Sequence, residues 1–133
     1  MRVFIDTNIL ISCIVWPESK SAKAFIKAAY SNKAIICEYS KEELYRVFSR
    51  NFPDNVSDMA DFLVKHMHFC EVVPVPDEPH KEEQLIRDEN DRPILRAAIS
   101  AGADIFLTGD KDFLDSGITN PRIMSASEFL ELA

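Results

Sequence analysis

Five carboxylates and three polar neighbours are the residues of this chain best placed to do chemistry. Asp6 interrupts the apolar stretch "VFIDTNILI", with Thr7 and Asn8 directly behind it. Glu43 lies in "SKEELYRVFSR", Asp91 in "DENDRP", and Asp110 and Asp112 in "TGDKDF" behind Thr108. A charge entering a core is costly unless something pairs with it, and no basic residue stands close to Asp6 in sequence. Two carboxylates 4 Å apart repel by about 4 kcal/mol at an effective dielectric near 20. A cluster of them persists only with raised pKa values or with bound cations. All-oxygen donors favour Mg²⁺ or Mn²⁺ over zinc. Such ions act as Lewis acids, and two of them about 3.5–4 Å apart clamp the attacking and leaving oxygens of a phosphodiester.

Each acid taken alone also has a local explanation. Asp6 or Asn8 fits the N-cap of a following "NILIS" helix. Ser40 and Glu43 have the spacing of a capping box. Asp91 sits where a cap belongs, just before Pro93, and Asp88, Glu89 and Asp91 suit a helix N-terminus. Asp110 fits a turn with Gly109. Their joint placement is what calls for an ion.

The elements that must hold them read as alternating short apolar strands and helices. "RVFI", "KAIICE", "CEVVPV", "DIFLTGD" and the "RIM" before the last helix read as strands. "SKSAKAFIKAAYSN", "SKEELYRVFSRNF", "VSDMADFLVKHMHF", "DENDRPILRAAISAGA" and "SASEFLELA" read as helices. The second stops before Pro53. The third is expected to be capped by Asp54, Asn55 or Ser57, and the last by a Ser125–Glu128 capping box. Pro93 in a first turn and Gly102 at a C-terminus bound the fourth. This alternation predicts an α/β fold, a central parallel sheet of about four to five strands with helices on both faces. In such folds ligands bind outside the carboxyl ends of the strands, where Asp6 and Asp110 both emerge.

The length of 133 residues fits one domain over 1–133, with a sizeable core. No segment is of low complexity, and no apolar run is long enough to span a membrane. The N-terminus goes straight into "MRVFID", so no signal peptide is expected. Three scattered cysteines, Cys13, Cys37 and Cys70, argue for reduced thiols and a cytoplasmic setting. A net charge of −7 weakens the picture of a broad basic nucleic-acid platform. It leaves room for a nucleic-acid substrate if bound cations supply positive charge locally.

"VFIDTNILIS", "EELYRVFSR", "DENDRPILRAAISAGADIFLTGDKDFL" and the closing "RIMSASEFL" resemble a PIN domain, in order and spacing across nearly the whole chain. The nearest branch in this likeness is the bacterial and archaeal toxins of toxin–antitoxin pairs, the VapC-like proteins. The resemblance implies a three-layer α/β/α nuclease domain and a metal-dependent endoribonuclease using Mg²⁺ or Mn²⁺. It implies that Asp6, Glu43, Asp91 and Asp110 form the catalytic acidic site and hold metal, with Asp112 joining or replacing Asp110. Asn8 and Thr108 fall where the family orders its acids, and Asp88 at a peripheral acidic position. It further implies an RNA substrate, an antitoxin protein that covers the cleft with a basic side chain, and a homodimer.

Arg46 and Arg50 share a helical face with Glu43 and are candidates for RNA-phosphate contacts, the alternative being a solvated face. Arg92, Arg96 and Lys111 are similar cases. His66, His68 and Cys70 in "HMHFC", with His80, raise zinc, but i and i+2 on a helix point apart. Trp16 before Pro17 suits local packing better than base stacking. Two other functions compete. An aspartate-based phosphatase would want Asp-x-Asp after the first strand, and Asn8 takes the place of the second acid. A non-catalytic partner-binding domain would have kept the fold without the activity, yet all four acids are present.

Overall fold

The structure, a computed structural model, describes residues 1–132. Five parallel strands form one sheet in the order β3-β2-β1-β4-β5. They are β1 (Arg2–Ile5), β2 (Lys33–Cys37), β3 (Cys70–Val73), β4 (Ile105–Leu107) and β5 (Arg122–Met124). Among the described residues seven α-helices connect and cover them: α1 (Thr7–Val15), α2 (Lys20–Ser31), α3 (Ser40–Asn51), α4 (Val56–His66), α5 (Arg92–Ser100), α6 (Lys111–Leu114) and α7 (Ala126–Glu131).

β1 is central and buried on both faces, which is why "VFI" lacks polar alternation. Val3 and Ile5 point into one core with α1, α2, α3, α4 and α7. Phe4 points into the other, with α5 and α6. There Phe106 stacks between Phe4 and Phe113, with ring centroids 5.3 and 4.6 Å away. The resulting three layers match the expected α/β/α architecture.

Local sequence explains most boundaries. Ser19 caps α2 by accepting from the Ala22 amide, and the helix buries an alanine-rich face while Lys20 and Lys23 lie outside and Lys27 donates to the Phe129 and Leu132 carbonyls. Pro53 follows the end of α3. Gly102, at φ +70°, lets the chain leave α5 through the left-handed region. Ser125 and Glu128 form the expected capping box of α7.

Three expected caps are not made. α3 already includes Ser40, so Ser40 and Glu43 form no capping box; the Ser40 hydroxyl instead meets Thr7. Asn55 flanks α4 but gives its side-chain amide to Asp58, and no side chain caps that helix. The acidic run before α5 is a separate 3-10 turn, Glu89–Asp91, so the α-helix begins only at Arg92. The helix containing "HMH" likewise ends at His66 and passes into a 3-10 turn, Met67–Phe69.

The long connection from β3 to α5 is pinned rather than free. Glu83 is 2% exposed and takes two hydrogen bonds from the Arg96 guanidinium and one from the His80 amide. Arg96 also donates to the Pro76 carbonyl. Burial opposes the Glu83 charge, but these donors outweigh it and hold its carboxyl below the usual range. Arg96 is therefore structural, and so is Arg92, which donates to the Ile86 carbonyl. Among the described residues no helix is long and apolar enough to cross a membrane.

Candidate metal centre at the carboxyl edge of the sheet

The strand order changes direction at β1. The chain moves outward from β1 to β2 and β3, then crosses to the other side of β1 for β4 and β5. In open α/β sheets the crevice opens at such a switch point, outside the strand ends. Asp6 leaves β1 there, and Thr108 to Asp110 leave β4 beside it. The two exits are tied together, since the Asp6 amide donates to the Leu107 carbonyl at 3.0 Å.

Asp6 occupies the N-cap position of α1, yet its side chain caps nothing. Its carboxylate accepts instead from the Thr108 hydroxyl at 2.7 Å. That hydroxyl oxygen in turn accepts from the Asp110 amide at 3.0 Å. Thr108 thus orders Asp6 and the Asp110 backbone at once. On the other side, Thr7 hydrogen-bonds Ser40 and joins the start of α1 to the start of α3. Asp6 is 9% exposed. Burial, helped by the charges of Glu43, Asp110 and Asp91 and opposed by the Thr108 hydroxyl, pushes its carboxyl up to about 6.

Asp91 behaves in the same way. It stands at the N-cap position of α5 without capping it. Burial and its neighbours Asp88, Asp110, Asp112 and Glu43 raise its pKa. Asp110 does cap, accepting from the Asp112 amide at 2.9 Å, so its local explanation holds beside any other role.

Asp6, Asn8, Glu43, Asp91 and Asp110 line one cleft of about 410 Å³. Asp91 and Asp110 of this lining, together with Asp112 beside it, each offer an oxygen within 4.8 Å of the others. Asp6 and Glu43 line the same cleft but lie outside that tight trio. The donor set is all oxygen and anionic, which fits a hard divalent cation.

The remaining expected residues divide. Thr108 hydrogen-bonds the Asp6 carboxylate and the Asp110 amide. Asn8 lines the cleft but hydrogen-bonds none of them among the described residues, so an ordering role for it has no contact behind it. Arg46 lines the cleft, 3.7 Å from Glu43. Arg50, one helical turn further on, does not line it. Among the described residues His66, His68 and His80 gather no metal set: His66 meets the Tyr30 hydroxyl and His80 meets Ser100. Cys13, Cys37 and Cys70 are buried free thiols, and burial pushes all three up, away from nucleophilic use. Two residues were missed in the sequence. Tyr39, half-exposed, lines the cleft just before α3. Arg87 donates to Asp112 at 2.9 Å across 25 residues of chain. Neither sits in a pattern that spacing reveals.

A family model described as a PIN domain matches residues 2–112. A solved structure of VapBC2 from Rickettsia felis, bound to a DNA fragment from their promoter, contains a chain of similar fold. The TM-score is 0.68 at 20% identity, covering 94% of this chain and 98% of that one. No curated protein matches the sequence.

Proposed function

This chain belongs to the PIN domain family, and from that premise we propose that it is a metal-dependent endoribonuclease, the toxin of a toxin–antitoxin pair. One observation carries the reading most. Asp6 and Asp91 stand at helix N-caps without capping, hold raised pKa values, and face the same cleft as Asp110 and Glu43. Acids kept at a cost to stability, with no structural task, point to a ligand.

In this reading Asp91, Asp110 and Asp112 hold Mg²⁺ or Mn²⁺, with Asp6 and Glu43 completing the site. The ion, when bound, supplies Lewis acidity and the positive charge that the acidic cleft lacks. Thr108 keeps the Asp6 carboxylate oriented toward the cleft. Asp6 and Glu43 border the space where a water is deprotonated before it attacks phosphorus, and burial raises the Asp6 carboxyl to about 6. Arg46 meets a substrate phosphate at the cleft mouth.

The similar structure is of VapBC2 bound to a DNA fragment from their promoter, and it supports reading this chain's natural partner as an antitoxin polypeptide. A basic side chain of that partner would balance the acids in the absence of an ion. The phosphatase alternative gains nothing, because Asn8 offers no second carboxylate beside Asp6.

The test is cleavage of a pool of single-stranded and structured RNAs by purified protein in EDTA, Mg²⁺ and Mn²⁺. Cleavage that needs the metal and is lost in Asp6→Asn and Asp91→Asn is expected. Equal cleavage by the variants, or an acyl phosphate trapped on Asp6, would overturn the reading.

A further inference from the structure

The cleft is a poor receptor for a polyanion. Asp6, Glu42, Glu43, Asp91 and Asp110 line it, with Arg46 as the one cation among its lining residues. A strand of RNA must therefore be held at its ends. The two ends differ in a usable way. On the layer of α1 and α3, Tyr39 projects at the rim, 51% exposed. Trp16 packs on Phe52, and Tyr30 and Phe69 pack on each other; Tyr45, 46% exposed, has no ring partner among the described residues, but it does not line the cleft. Tyr39 has no such ring partner among the described residues, and its hydroxyl bonds to nothing there. On the opposite layer, Arg87 follows the buried Ile86 and reaches Asp112 from an 86% exposed side chain. Asp112 shares its trio with Asp91 and Asp110, so Arg87 stands one ion pair from the candidate metal centre. An ion pair this exposed contributes little and is readily exchanged for a phosphate.

We propose, resting on the ribonuclease reading above, that Tyr39 and Arg87 are substrate-binding residues on opposite sides of the cut. Tyr39 stacks on an unpaired base beside the scissile phosphate, on the Arg46 side. Arg87 leaves Asp112 for a phosphate on the other side, so the strand crosses from the α3 layer to the α5 layer. A paired base cannot stack on Tyr39, so the bond cut lies in a single strand or loop.

The two contacts differ in kind, and kinetics separates them. Steady-state cleavage of a single-stranded oligonucleotide is measured in Mn²⁺ over a series of salt concentrations. Tyr39→Ala is expected to lower kcat/KM about tenfold or more through KM, with the salt dependence unchanged. Tyr39→Phe restores it. An abasic nucleotide beside the cut should remove the difference between wild type and Tyr39→Ala. Arg87→Ala is expected to flatten the plot of log kcat/KM against log salt by about 0.7, one phosphate contact on a single strand. Both side chains are exposed, and thermal melts of the variants check that they fold. If the wild type cleaves while both variants match it in KM and salt slope, this proposal is overturned and the ribonuclease reading stands. If the wild type cuts no RNA in either metal, the ribonuclease reading fails and takes this proposal with it.

Discussion

At the scale of single residues the decisive side chain is Asp6. Its folded-state carboxyl lies near 6 against an ordinary 3.8, mainly through burial. A raised acid favours the protonated form in the fold. The stability it contributes is therefore complete below pH 3.8 and is lost as pH rises through 6. Asp6→Asn keeps an oxygen for the Thr108 hydroxyl and never ionises. It should be more stable than wild type by about 1–3 kcal/mol at pH 8 without divalent ions, a gain that fades toward pH 4. Urea denaturation at the two pH values measures this, and a variant weaker than wild type at pH 8 would contradict it. The sequence exposed Asp6 because a carboxylate inside an apolar run is conspicuous. It could not exclude capping for Asp6 and Asp91, since a cap and a ligand have the same residue type and differ only in which way the carboxylate turns. Arg87 and Tyr39 were illegible for another reason. Their relation to the site depends on a loop path and on solvent exposure, and neither has a sequence period.

At the scale of elements the site depends on a helix too short to stand alone. α6 has four residues, far below the length at which a helix holds itself together. It carries Asp110 at its N-cap and Asp112 in its first turn, and its one buried residue is Phe113. Phe113 stacks on Phe106 of β4 at 4.6 Å, which fixes the two acids to the sheet. Phe113→Ala should therefore cost about 3–5 kcal/mol and also weaken Mn²⁺ binding, because the acids lose their support. Phe113→Leu should recover much of both. Denaturation and calorimetric titration of Mn²⁺ give the two readouts, and unchanged Mn²⁺ affinity in a folded Phe113→Ala would separate α6 from the site. The five strands and the main helices were legible because apolar periodicity and Pro or Gly punctuation mark them directly. The starts of α3 and α4 were not. Ser40 and Asn55 have capping chemistry, but Thr7 and Asp58 offered their side chains better partners than the backbone did.

At the scale of the whole molecule, strand order concentrates charge. A parallel sheet could be read from alternation, but the order β3-β2-β1-β4-β5 could not, because long crossovers leave no local mark in sequence. That order is what sets Asp6 and Asp110 side by side at the switch point and concentrates carboxylates at one edge of a chain already at −7. A ligand that binds only the folded state stabilises it by mass action. A divalent cation held by the Asp91, Asp110 and Asp112 trio should thus raise the melting temperature far beyond what ionic strength alone achieves. At a hundred times its dissociation constant, Mn²⁺ should add about 2.7 kcal/mol, or about 10 °C for a domain of this size. Sodium chloride at matched ionic strength should give only the small part due to screening of the net charge. Asp91→Asn should lose most of the Mn²⁺ increment while starting from a higher melting temperature in EDTA, since its own carboxyl is also raised by burial and by its acidic neighbours. Equal shifts from Mn²⁺ and from matched sodium chloride, in wild type and Asp91→Asn alike, would mean that the acids repel one another without holding an ion.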